Sequence, residues 1–367
     1  MLDTDPSVTS TPTLRGAHLV GSVNLPTARD TLRTVATRLG GHARRLPDGE
    51  VGERFHWILF QGARFSAVEG LTRVGDDPVV VAGFDLRPHV LDGSVPADAL
   101  RFGPLGYAEA AAASYADFVA LREEGAIAPG TRFQVGLPSP LAAVTSFVAA
   151  RDRAAVYPAY EAAMVRELEQ IVATIPAADL AIQVELATDF AFIEGASLGG
   201  GVARAWFDRG AGGDEDVLAG CVRRAAHLAG RVPADVELGF HLCYGDVAEK
   251  HFTEPTDAGN LVAVANALVT AVGRPITWVH LPVPIDLDDT AYVAPLADLA
   301  LDGATELYLG LLHHEDGVTG AHRRLAAAAQ VLGDRTVGVA TECGFGRGPS
   351  ERTAALLDLH VAVLEGS

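Results

Sequence analysis

Cysteine is scarce in this chain: three among 367 residues, at positions 221, 243 and 343. So few and so widely spaced, they make a poor disulfide framework, and each must be read as a core residue, a free thiol or a metal ligand. Basic residues are also in short supply, 28 Lys and Arg against 47 Asp and Glu, for a formal net charge of -19. The acids are scattered rather than blocked, which disfavours nucleic acid or an anionic membrane as partner. No apolar run approaches the roughly 20 residues of a membrane-spanning helix. The first fifteen residues lack the basic start and apolar stretch of a signal peptide. We therefore expect a disordered tail over 1–15, one domain over 16–367, and a cytoplasmic location. A further absence is the G-x-G-x-x-G turn after the first strand, without which a dinucleotide-binding open sheet is disfavoured.

What is present is a long chain with 49% hydrophobic residues, enough to bury a large core. Short apolar runs recur at 16–22, 79–86, 132–138, 180–186, 237–243, 276–282, 306–312 and 336–343, with Ala-rich amphipathic stretches between them. Strands alternating with helices predict a parallel sheet covered by helices, and eight strands are the number that closes a (β/α)8 barrel, an α/β TIM-barrel fold. Two segments are too long for plain connectors, 44–57 and the Gly-rich 187–214. Each follows an expected strand and is predicted to lie over the face that carries catalysis in such barrels, with Trp206 offering apolar surface to a closing lid.

In the stretch HLCYGD, His241 and Cys243 stand two apart at a strand end, so their side chains point to the same face. Cys343 closes the last expected strand at the same rim. One imidazole and two thiolates suit Zn2+ and leave a fourth position for substrate, where a bound thiol is activated as a nucleophile. Cys221 lies inside a helical stretch and reads as a core thiol. His280, at the end of the sixth strand, is either a fourth metal ligand or a group that orients what binds there. His313, His314 and Glu315 follow the seventh strand, where a general acid is useful, although such a run also fits a polar loop. Glu50, in a Gly-containing loop, can pair with an ammonium group or simply be a solvated acid.

HLCYGD, the late ECGFGR and the early VGS followed by LPDGE resemble the C-terminal barrel of cobalamin-independent methionine synthase over nearly the whole chain. The resemblance implies zinc at His241, Cys243 and Cys343, and methyl or alkyl transfer to a small-molecule thiol from a donor that the sequence does not identify. It also implies that Ser22 and Glu50 help to hold the amino-acid thiol. Three positions depart from that family. Its glutamate ligand on the sixth strand is replaced by His280. Its Q-x-D-E-P stretch reads here as Gln183, Val184, Glu185, Leu186 and Ala187, so the substrate-binding carboxylate becomes Glu185. The loop after the seventh strand carries HHED in place of D-x-H-S. Thioether cleavage by the same metal site, and a metal-free reaction like that of the uroporphyrinogen decarboxylases, are the alternative activities for this fold.

Overall fold

The apolar runs spaced between helical stretches pair side by side. In the computed structural model, which describes residues 13–198, 201–246, 250–286 and 289–366, eight parallel strands form one sheet. They are β1 (Leu14–Ala17), β2 (Arg45–Pro47), β3 (Arg132–Pro138), β4 (Leu180–Leu186), β5 (Glu237–Leu242), β6 (Trp278–Pro282), β7 (Glu306–Leu312) and β8 (Val337–Thr341). Their order across the sheet is β1-β8-β7-β6-β5-β4-β3-β2. The central strands are buried throughout, and along each a Leu, Ile or Val recurs at every second position, as in Leu180, Ile182, Val184 and Leu186 of β4, with Ala181, Gln183 and Glu185 between them. Long helices such as Arg153–Thr174 and Gly317–Leu332 follow the strands and cover the outside.

The sheet curls on itself. Neighbouring strands lie about 4.8 Å apart, so in a flat sheet the five spacings between β2 and β7, or between β1 and β4, would amount to about 24 Å. Yet the Arg45 guanidinium of β2 is 2.9 Å from Glu306 of β7, and His18, just past β1, is 2.9 Å from Gln183 of β4. Isolated parallel bridges join the two edge strands, Ala17 to Ala43 and Ser22 to Gly49. The first and last long helices, Ala28–Leu39 and Ser350–Glu365, pack against each other.

The N-terminal end of the interior is plugged by charge. Arg45 also binds Glu237 at 2.5 Å, its guanidinium lies 4.2 Å from the centre of the Trp278 ring, and the Tyr308 hydroxyl donates to Glu306 at 2.9 Å. An arginine this buried is tolerated because two carboxylates neutralise it and hydrogen-bond it. The opposite, C-terminal end is thereby left as the open one.

Two expectations need correction. The apolar run 79–86 is not the second sheet strand. Val80–Val81 and Phe84–Asp85 form a separate two-stranded hairpin, turned by Ala82 and Gly83 at φ 50° and 84°. Positive φ at both turn residues is the signature of a tight two-residue turn, and it breaks the run in its middle. The second strand is instead Arg45–Pro47, inside the segment 44–57 that the sequence suggested as a lid. No apolar run marks it, because it is three residues long and begins with the buried Arg45. The first strand is Leu14–Ala17, so it begins inside the expected tail; residues 1–12 lie outside the described residues. Among the described residues no helix is long and apolar enough to cross a membrane.

Candidate metal centre and adjoining cavity

His241 is the fifth residue of β5, Cys243 follows that strand directly, and Cys343 lies two residues beyond the end of β8. The sheet's curl brings all three to one rim, with their ligand atoms within 4.8 Å of one another, a group that could hold a metal ion. The two sulfurs are 3.8 Å apart, and the Gly245 N–H donates to Cys243 Sγ at 3.3 Å. Contact with Cys243, together with burial, raises the Cys343 thiol well above its ordinary pKa. Both sulfurs could be ionised together only with a cation between them.

The register of the sheet sets His241 between Glu185 on β4 and His280 on β6. His280 Nε2 lies 3.0 Å from the Thr341 carbonyl, which can only accept, so that nitrogen carries the proton. Burial lowers His280 to about 3, so its ring is neutral and Nδ1 accepts. His241 Nδ1 lies 2.8 Å away and therefore donates, which leaves a bare lone pair on His241 Nε2. That atom is buried and, among the described residues, has no hydrogen-bond partner. His280 thus orients His241. It takes no place among the three grouped ligands, because both of its nitrogens are engaged. Gly310 makes room for it: a Cβ there would stand 2.8 Å from His280 Nε2.

Beside this group opens a cavity of about 540 Å³. Glu50 and Glu185 face each other across the space left by Gly136, both with Oε1 within 3.5 Å of where a Cβ on that glycine would be. Trp57 Nε1 donates to Glu185 at 2.8 Å, and Gln183 Nε2 donates at 3.1 Å. Glu50 is held at φ 52°, a conformation that costs a non-glycine residue about 1–2 kcal/mol. Asp48 fixes it there, accepting the Glu50 N–H at 3.0 Å while bound by Arg54 at 2.6 Å and Ser114 at 2.7 Å. Burial, then the charge of Glu185, raises Glu50 to about 8; burial raises Glu185 as well. Two enclosed carboxyls that resist ionising together make a site for a proton or for an ammonium group.

Ser22 lines the cavity and accepts the Gly346 N–H at 3.3 Å, tying the end of the β1 segment to the ECGFGR loop. Gln183 does not reach the cavity wall. It bridges His18, the Val20 carbonyl and Glu185 from beneath. His313, His314 and Glu315 surround a smaller neighbouring cavity of about 150 Å³, which shares Asp246, Cys343 and Arg347 with the larger one. His313 is buried, with Nε2 on the Val283 carbonyl at 2.9 Å and Nδ1 3.6 Å from Glu342; His314 and Glu315 are exposed and pair with each other at 3.0 Å.

Several groups at the site were not singled out from the sequence. His251 makes ion pairs with Glu342 at 3.3 Å and Glu254 at 3.0 Å; against burial, which lowers it, these carboxylates raise it to about 9. Arg347, in the ECGFGR stretch, pairs with Asp246 at 2.9 Å. The wall above is apolar, from Phe55, Trp57 and Leu59 on one side and Val81 and Leu86 of the hairpin on another. Of the segment 187–214, Ala187 and Thr188 line the cavity. Residues 199 and 200 lie outside the described residues. Trp206 packs on Tyr157 and Arg224 among the outer helices, so the glycine-rich stretch does not place it over the mouth. Cys221 is buried in the helix Val217–Ala229, as expected for a core thiol.

No family model matches the chain, and no curated protein matches it. Among solved structures, it resembles a B12-independent methionine synthase from a Shewanella species in complex with selenomethionine. The TM-score is 0.60 at 13% identity, over 96% of this chain and 97% of that one. A methyltransferase from Methanosarcina mazei aligns at TM-score 0.47 and 13% identity, over 94% of each chain. At such identity the likeness is one of fold.

Proposed function

We propose that the chain is a zinc-dependent transferase that moves an alkyl group to a substrate thiol, on a sheet closed as a (β/α)8 barrel. The edge-strand bridges and the charge plug across the interior support the closure. The donor set carries the functional reading. Two thiolates bound tetrahedrally at the usual Zn–S length of about 2.3 Å stand about 3.8 Å apart. The sulfurs of Cys243 and Cys343 have that separation, and a ring nitrogen of His241 lies within 4.8 Å of them. Zinc held there would lower the pKa of a substrate thiol so that it attacks as a thiolate.

The residues of the chain do the remaining work. Glu50 and Glu185 hold the substrate's ammonium group, with Trp57 and Gln183 fixing Glu185. Ser22 keeps the loop carrying Cys343 against the β1 segment. In the transfer, a sulfur lone pair forms the new S–C bond while the donor's carbon–heteroatom bond breaks, its electron pair leaving on the heteroatom. That atom takes up a proton. The proton comes from His251, the protonated group beside Glu342; of the three residues after β7, His313 is assigned to positioning Glu342, since its own N–H is held by the Val283 carbonyl, while His314 and Glu315 screen the smaller cavity from solvent. The Shewanella protein's complex with selenomethionine favours the same substrate class, since that ligand carries both an amino group and a chalcogen. The partners are small molecules. With a net charge of -19, nucleic acid and anionic membranes are not expected as partners, and a reducing cytoplasm suits two free metal-binding thiols.

Cobalt(II) substitution tests the reading. A thiol that also carries an amino group should add a thiolate-to-cobalt absorption band and bind more tightly than the same thiol without the amino group. A spectrum that no thiol perturbs would overturn it.

A further inference from the structure

The cavity is larger than the metal group and the acid pair require, and its remaining wall has a chemistry of its own. At about 540 Å³ it falls in the range of roughly 300–1,000 Å³ that accommodates whole organic ligands. Beyond His241, Cys243, Cys343, Glu50 and Glu185, the lining is dominated by Phe55, Trp57, Ile58, Leu59, Leu86 and Phe252. The charged side chains on the wall are Glu50, Glu185, Asp246 and Arg347, and Arg347 is paired with Asp246. An anionic body would therefore meet net negative charge and no unpaired arginine.

The hairpin 79–86 completes this wall. Val81 lines the cavity whereas Val80, its neighbour on the strand, does not; they are 46% and 62% exposed. Its tip residue Ala82, which also lines the cavity, is held at φ 50°, a conformation an alanine adopts at a cost. The hairpin's second strand is braced: the Phe84 ring packs edge-on against His56, 6.1 Å between centres, and Asp85 is gripped by Arg87 at 2.7 Å and by Arg73 at 3.3 Å. A turn strained at Ala82 that presents small apolar groups to a cavity is a specificity element rather than a loose connector.

We propose that this hairpin and the Phe55–Leu59 loop form a subsite for an uncharged aryl or branched-alkyl body, so that the group exchanged on sulfur is larger than methyl and carries no negative charge. The inference rests on the proposed thiol chemistry for its orientation, with ammonium at Glu50 and Glu185 and sulfur at the metal group. The apolar subsite itself is independent of that chemistry.

The test uses the full-length protein loaded with zinc, calorimetry, and quenching of Trp57 fluorescence as a readout that needs no turnover. S-benzylcysteine should bind at least ~10-fold more tightly than S-methylcysteine, because the added ring buries several more apolar carbons. Val81→Asp should abolish that preference and leave S-methylcysteine binding unchanged, whereas Val80→Asp, on the same strand but off the cavity wall, should change neither. Equal affinity of the two ligands in the wild type, or equal weakening of both by Val81→Asp, would overturn the subsite. Benzyl alcohol, which has neither thiol nor amine, separates the two claims. If it binds in a Val81-dependent way while neither cysteine derivative binds, the subsite stands and the thiol chemistry fails. If it binds equally to wild type and to Val81→Asp, the subsite is wrong.

Discussion

His241 Nδ1 stands 2.8 Å from His280 Nδ1, and this contact decides which nitrogen of His241 is left for a metal. The Thr341 carbonyl forces the proton of His280 onto Nε2, so His280 Nδ1 accepts and His241 Nδ1 donates. Removing the acceptor should free His241 to adopt either tautomer and to turn. His280→Phe, which keeps the ring's bulk, should weaken zinc binding by about 10–100-fold, the usual effect of losing an orienting partner, without emptying the site. Competition with a chelating dye measures it; an affinity equal to wild type would mean that the tautomer is fixed elsewhere.

The grouping of His241, Cys243 and Cys343 makes the three cysteines unequal. Cys243→Ser and Cys343→Ser should each remove most of the zinc, about one ion per chain in the wild type, because a hard hydroxyl replaces a soft thiolate. Cys221→Ala should leave zinc content unchanged, since that thiol is buried in a helix, where it donates to the Asp189 carbonyl at 3.9 Å and takes no part in the His241 group. Elemental analysis of the three variants decides; equal losses from all three would mean a structural effect.

The Glu50 and Glu185 pair predicts a pH dependence with a definite sign. Glu50 titrates near 8 in the folded protein and near 4.5 when exposed. The folded state therefore keeps a proton that the unfolded chain has released, and stability falls as pH rises from about 4.5 to about 8. Glu50→Gln preserves the shape without the charge and should flatten this slope. Urea unfolding at pH 5.5 and pH 8.5 measures it. Parallel changes in wild type and variant would show that the slope comes from other groups.

Six of the eight strands were legible because a buried Leu, Ile, Val or Phe recurs at every second residue, as in β4 and β7. β2 was not, since its three residues centre on a Leu between the buried Arg45 and Pro47. The partners that make Arg45 tolerable lie 192 and 261 positions away in the chain. The hairpin at 79–86 misled for the converse reason: its apolar residues face a cavity and solvent rather than a sheet core. At the site, the two-residue spacing of His241 and Cys243 and the strand-end position of Cys343 sufficed to bring those three together. The role of His280 was not readable, because it depends on which atoms its nitrogens meet. Trp57, His251 and Arg347 had no local signal, as the partners that bring them to the site, Glu185, Glu342 and Asp246, are distant in sequence.

Gly136 offers a test of the acid pair that leaves the metal group alone. A Cβ at that position would stand 2.4 Å from Glu185 Oε1 and 3.5 Å from Glu50 Oε1, so an alanine must push the Glu185 carboxyl out of place. That carboxyl is also held by the Trp57 indole and the Gln183 amide, and it cannot move without loosening one of them. The backbone of Gly136 is in the extended β3 strand, where alanine is acceptable, so the strain falls on the side chains and not on the fold. Gly136→Ala should therefore weaken binding of amino-bearing thiols by about 10-fold or more, the scale of one lost charged hydrogen bond. Thiols without an amino group should bind as before, and zinc content should be unchanged. Calorimetric titration with a matched pair of thiols, one with and one without the amino group, reads both effects in a single variant. Equal loss for the two thiols would remove Glu185 from ammonium recognition.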